Sequence, residues 1–230
     1  LLTGSKNVLK GAGFFLGGVL LAGLGFRSSL LVMAVALALV LVAVIFSLPA
    51  ELGRAKGKVK FSHILSKSHN INVLSAARLF LFGSRDIWFV VALPLYLVAS
   101  LGWSSAQVGG FLALWVIGYG GVQALAPQLL SRDLTGGTPQ GGTASAGAFV
   151  LAAVTALIAL GVQAELSPWL TVVAGLAIFG VVFAVNSSVH SYLILTYSDS
   201  DRVALDVGFY YMANATGRLA GTLLSGLVFQ

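Results

Sequence analysis

The sequence predicts an all-α fold, a polytopic membrane helix bundle, and three observations carry that prediction. Of its 230 residues 58% are hydrophobic and only 9% are charged. A soluble domain carries about 25% charged residues, so a water-facing surface cannot be assembled from this composition. Seven stretches reach or approach the roughly 20 apolar residues needed to cross the hydrocarbon core. Basic residues gather in the connectors between them, on alternate sides, which is the pattern that orients membrane helices.

The spans follow in order. The first, Val8–Gly25, is diluted by six glycines, and the second, Ser29–Leu48, is apolar throughout. A basic connector comes next. The third span, Ser75–Ala99, carries Arg78, Arg85 and Asp86, and Pro94 is expected to kink it. The fourth, Ala106–Leu130, is rich in glycine (Gly109, Gly110, Gly118, Gly120, Gly121), and Pro127 predicts a second kink. The fifth, Ser145–Val162, is apolar throughout. Ser167-Pro168 opens the sixth, Pro168–Tyr197, as a cap residue followed by proline at the first helical position. In the seventh, Val203–Phe229, Gly217, Gly221 and Ser225 recur every four residues, the small-residue spacing that lets membrane helices approach closely.

Charge sets orientation and excludes several functions. Lys6, Lys10, Arg54, Lys56, Lys58, Lys60, Lys67, Arg132 and Arg202 fall on one side of the predicted topology and Arg27 alone on the other. The richer side is assigned to the cytoplasm. Cations spread over connectors do not form a recognition face, so no nucleic acid is expected as a partner. The connector at 50–73 reads as a solvated basic segment drawn to anionic lipid head groups, at about 1 kcal/mol per nearby cation. It divides the chain into 1–49 and 74–230. His63 and His69 within it lie among lysines and serines with no acidic or cysteine neighbours, so no metal site is expected, and a chain without cysteine holds no thiolate or disulfide. No nucleophile and base stand at a usable spacing, so neither an enzyme nor a cofactor is expected. The chain begins without methionine and stops in an apolar stretch, and is read as a fragment of a longer protein.

Polarity separates the spans. In the seventh, Asp206, Tyr210, Asn214 and Arg218 stand four apart, along one slowly drifting helix face, with Tyr211 beside them. In the sixth, Asn186 and His190 share a face. In the third, Arg78 and Arg85 are aligned seven apart, and Asp86 lies about 100° round from Arg85. An arginine or aspartate at the centre of a membrane helix costs about 2.5–3.5 kcal/mol, so such residues pair, face a wet cavity or perform a task. Arg78 has the plainer reading of a snorkelling side chain near a helix end. Arg85 with Asp86 has that of a structural pair, and Asp206 that of a helix cap.

Four segments, "RLFLFGSRDIWFVVALPLYL", "GGFLALWVIGYGGVQALAP", "FGVVFAVNSSVHSYLI" and "DVGFYYMANATGRLAGTLLSG", closely resemble the ArsJ-type organoarsenical efflux permeases of the major facilitator superfamily. The resemblance runs from about residue 5 to residue 230 and implies helices five to eleven of twelve, with 1–49 closing the first six-helix half. The 50–73 connector would then be the cytoplasmic link between halves, and 74–230 the second half without its last helix. It further implies that helices seven, eight, ten and eleven surround the cavity, which agrees with the polarity sorting.

Such permeases are associated with export of 1-arseno-3-phosphoglycerate. That compound is supplied by a dedicated glyceraldehyde-3-phosphate dehydrogenase, and the pair confers arsenate resistance. The resemblance thus implies a bacterial inner-membrane transporter of a small anionic organoarsenical. Two oxyanions call for separated cations, and guanidinium meets them bidentately. Arg85 and Arg218, with Arg78 as a third, are the expected anion-binding residues. Asn214, Tyr210, Tyr211, Asn186 and His190 are the expected hydrogen-bonding partners, and Asp86 the expected holder of Arg85 and carrier of a coupled proton. Residue spacing alone reaches a polytopic transporter with an anion-friendly cavity. Two alternatives stay open at that point: a facilitator-type exporter of another phosphorylated or carboxylated anion, and a membrane sensor or scaffold without transport.

Overall fold

The computed structural model describes residues 2–48, 68–131, 139–199 and 203–228. Most of the 50–73 connector, His63 included, and the 132–138 connector lie outside the described residues. Seven helical segments are present among them: α1 (Leu2–Ser47), α2 (His69–Phe89), α3 (Ala92–Ala99), α4 (Ser105–Ser131), α5 (Gly141–Gln163), α6 (Pro168–Tyr197) and α7 (Val203–Val228). Because α2 and α3 are halves of one interrupted span, they make six rods. Five are long and apolar enough to cross a membrane. The sixth, α7, has 26 residues, which at about 1.5 Å each suffices in length, but its polar face makes it less apolar than the rest.

Two details refine the expected spans. The first two are helices joined directly across a kink within α1 at Gly25, the expected end of the first span, where φ 72° and ψ 174° are open to glycine. Helix resumes at once, and Ser29 Oγ donates to the Gly25 carbonyl at 2.7 Å, so no separate loop forms around Arg27. Second, α4 continues as helix through Pro127. Pro94 behaves as anticipated: α2 stops at Phe89 and α3 starts at Ala92. A proline clashes with the carbonyl four residues back, here Val90. The amide of Ala92, lost to the ladder, donates to Ser225 Oγ on α7 at 3.4 Å, a neighbouring helix supplying the missing partner.

Packing follows small residues. α2 lies along α7, α1 along α4, and α5 along α6, with α4 also against α6. A Cβ on Gly217 would be driven into the Leu79 carbonyl, and one on Gly221 into that of Gly83, so the predicted α7 spacing is an α2 contact. At Gly18 of α1 an added Cβ would meet the Ser105 carbonyl at 2.7 Å and Gly109 Cα at 3.0 Å. Of the α4 glycines Gly109 therefore makes a close approach, whereas Gly110, Gly118 and Gly121 have open space beside them. Trp115 on α4 lies over Gly180 of α6 and donates its indole N–H to the Leu176 carbonyl at 2.7 Å. The second half of α1 is exposed along almost its whole apolar surface, as a lipid-facing helix must be.

The α2–α7 contact gives a stability contrast. Gly217→Val is expected to destabilise the protein by about 1–3 kcal/mol through overpacking. Gly208→Ala, on the same helix with nothing within 4 Å, should change little. Unfolding of the two variants in detergent, followed by circular dichroism, measures the difference.

Candidate functional site

The site begins at Asp86, wholly buried on α2. Its Oδ1 accepts a hydrogen bond from Arg85 Nε at 2.6 Å and pairs with a terminal nitrogen of the same guanidinium. Its Oδ2 accepts from Arg218 Nε, on α7, at 3.0 Å. One carboxylate therefore holds two cations from two helices. The close α2–α7 backbones make this reach available: Gly83 and Gly217, which face each other, stand just before Arg85 and Arg218.

The two arginines differ in their surroundings. Arg85 is buried, with its guanidinium carbon 4.8 Å from the Phe82 ring centroid, 5.0 Å from Phe183 and 5.8 Å from Phe89. Ring faces attract a desolvated cation, so Asp86 and three rings share the work of holding it. The Arg218 side chain is 44% exposed. Both arginines line a cavity of about 140 Å³. Trp115 and Tyr119 of α4 and Phe14 and Lys10 of α1 line it too, so helices α1, α2, α4 and α7 all contribute.

Arg78 is engaged elsewhere. It is buried and donates Nε to Asn214 Oδ1 at 3.2 Å and a terminal nitrogen to Ser187 Oγ at 3.0 Å and the Ser187 carbonyl at 3.3 Å. Its guanidinium carbon is 4.0 Å from the Phe82 centroid and 5.1 Å from that of Tyr210. It thus ties α2 to α6 and α7 through neutral acceptors. Phe82, between Arg78 and Arg85 in sequence, contacts both guanidiniums.

The remaining predicted residues are distributed around this centre. Tyr210 is buried and stacks edgewise on Tyr211, whereas Tyr211 is half exposed. Asn186 is buried against Gly147 of α5, its amide without a hydrogen-bonding partner among the described residues. His190 lines a second, larger cleft of about 1180 Å³ between α2, α5, α6 and α7, otherwise apolar in most of its lining. Arg85 borders both spaces, and the smaller one is where the cations meet. Asp206 is buried in the first turn of α7, where a carboxylate favours the positive helix end.

Sequence reasoning missed four residues. Lys10 was assigned to the cytoplasmic connectors, yet lies within α1 beside the cavity. Ser187, next to the chosen Asn186, takes the Arg78 bond, and Gln123 on α4 donates to the same Ser187 Oγ at 3.3 Å. Tyr119 lines the cavity. The polarity of Tyr119 and Gln123, four apart on α4, was a usable signal.

Helices of membrane-spanning length around a cavity bordered by cations define a polytopic membrane protein. The chain belongs to the Major Facilitator Superfamily, whose family model matches residues 1–222. Its members are transporters and not enzymes, so the chain is an integral membrane transporter. No curated protein and no solved structure matches it.

The unequal burial of the two arginines yields a prediction. Asp86→Asn strands the buried Arg85 charge, and breaking a buried pair in this way destabilises by about 3–5 kcal/mol. Arg218→Gln removes the half-exposed partner and should be tolerated far better. Thermal unfolding of the two purified variants is expected to rank them in that order.

Proposed function

We propose that this transporter exports a small anion carrying separated negative groups, and that Arg85 and Arg218 hold it. The observation that carries the reading is the convergence of two guanidiniums, from α2 and α7, on one buried carboxylate beside a shared cavity. An arginine left 44% exposed beside such a space can turn from Asp86 to an incoming oxyanion and meet it bidentately. Arg78, with Asn214, Tyr210, Tyr211, Asn186 and His190, forms the polar surround in this proposal.

The resemblance of the four segments quoted above supports a particular substrate, 1-arseno-3-phosphoglycerate. It also supports a functional pairing with a glyceraldehyde-3-phosphate dehydrogenase, and residence in a bacterial inner membrane. In the same reading 1–49 closes one half of the transporter, 50–73 links the halves, and 74–230 belongs to the second. Alternating access then rocks one half against the other around the site.

Asp86 is the proposed proton-coupling group, since release of Arg218 frees Oδ2. Coupling is not forced by energetics: an anion leaving an inside-negative cell gains about 2.3 kcal/mol per charge per 100 mV. Uptake of labelled substrate into inverted vesicles, with and without a pH gradient, is expected to be faster with the gradient. Indifference to it removes Asp86 from this role.

The binding role is tested in an arsenate-resistance assay at matched expression. Arg218→Ala should abolish resistance and Arg218→Lys should retain part of it, because a point charge replaces a fork. Wild-type resistance in the alanine variant defeats the proposal. Resistance unaffected by any variant, together with efflux of some other phosphorylated anion, favours the broader exporter reading.

A further inference from the structure

We infer that Tyr119 is a further binding residue of the anion site: its hydroxyl donates to the same anion that Arg218 holds, and so joins α4 to α7 across the cavity. This rests on the reading above, in which the cavity beside Asp86 receives an anion. Tyr119 and Arg218 both line that cavity, and a space of about 140 Å³ is small enough for the groups bordering it to reach one bound oxyanion.

The polar groups around the cavity differ in what they still have to offer. Arg85 is buried, with its guanidinium on Asp86 and against three rings. The indole N–H of Trp115 is spent on the Leu176 carbonyl at 2.7 Å. Lys10 is exposed and has interactions of its own. Arg218 is bound to Asp86, yet its side chain is 44% exposed. Tyr119 is partly buried, and among the described residues its hydroxyl has no hydrogen-bonding partner. A guanidinium that can turn and a hydroxyl with a bond to give are therefore the two donors best placed for an oxyanion.

Packing fixes the tyrosine in place. Its ring stacks on Trp115, with centroids 5.7 Å apart and planes 8° from parallel, and lies 5.9 Å from the Phe183 ring. Trp115 is held in turn by its bond to α6. A donor carried on a packed ring loses little freedom on binding. A neutral hydroxyl also supplies that donor without the cost of another charge inside the membrane. Its bond to an ionised oxygen is about twice as strong as one between neutral groups.

Position gives a consequence for movement. α4 packs on α1 and α6, whereas α7 packs on α2. An anion taken by Arg218 and Tyr119 together ties α7 to α4, two helices that rest chiefly on other neighbours.

The test uses the full chain in detergent, titrated with 3-phosphoglycerate by calorimetry, with thermal unfolding of each variant measured in parallel. Tyr119→Phe keeps the stacked ring and removes only the hydroxyl. It is expected to weaken binding about tenfold, the loss of one hydrogen bond to a charged group, with the unfolding midpoint unchanged. Wild-type affinity in Tyr119→Phe overturns the inference. So does weaker binding accompanied by a lowered midpoint, which is what a merely structural tyrosine gives. Arg218→Ala separates the two levels of argument. If it abolishes binding while Tyr119→Phe binds as wild type, only the role of Tyr119 falls. If the wild-type protein does not bind 3-phosphoglycerate, the anion site itself falls, and this inference with it.

Discussion

The structure turns on one buried carboxylate. Asp86 has no exposed surface, and each of its oxygens is taken by a different guanidinium. An ionised carboxylate inside a membrane protein is costly alone, and so is an arginine. Together they offset one another, provided the helices carrying them stay in register. The ion pairs and the α2–α7 glycine contact are therefore a single device. Gly83 and Gly217 bring the backbones together, and the side chains that follow them meet.

A second fastening uses different chemistry. Arg78 joins α2 to α6 and α7 through Asn214 and Ser187, with Phe82 and Tyr210 against its guanidinium. Its partners are neutral and its burial is nearly complete. Phe82 contacts Arg78 and Arg85 alike, so the two positive groups on one face of α2 are separated by a ring that favours both. This explains how a helix can carry two aligned arginines without a carboxylate for each.

Much of this was legible in the sequence, for definite reasons. Intramembrane charge is so costly that Arg85, Asp86 and Arg218 announce themselves, and four-residue spacing shows which residues share a helix face. Gly217, Gly221 and Ser225 mark a helix contact by size alone. What spacing does not supply is rotation of one helix against its neighbours. Asn186 and Ser187 differ by about 100°, and that angle sends one toward α5 and the other to Arg78. Lys10 shows the same blindness at a helix end: a lysine near a predicted boundary is equally at home in a connector or beside a cavity. Gly25 shows it in the backbone, where a single residue replaces an expected loop.

The contrast between the three arginines bears on how the protein can move. Arg78 is held by rings and by acceptors on α6 and α7, and Arg85 by rings and by Asp86 on its own helix, so displacing either exposes a desolvated charge. Arg218 is bound to the same carboxylate as Arg85, yet 44% of its side chain is already open. Water, or the anion of the proposed function, can replace what it gives up on leaving Asp86, which keeps Arg85 as a counter-ion and stays neutralised. Of the three, Arg218 alone can let go without stranding a buried charge. A conformational cycle that begins with ligand binding therefore has its easiest first step on α7.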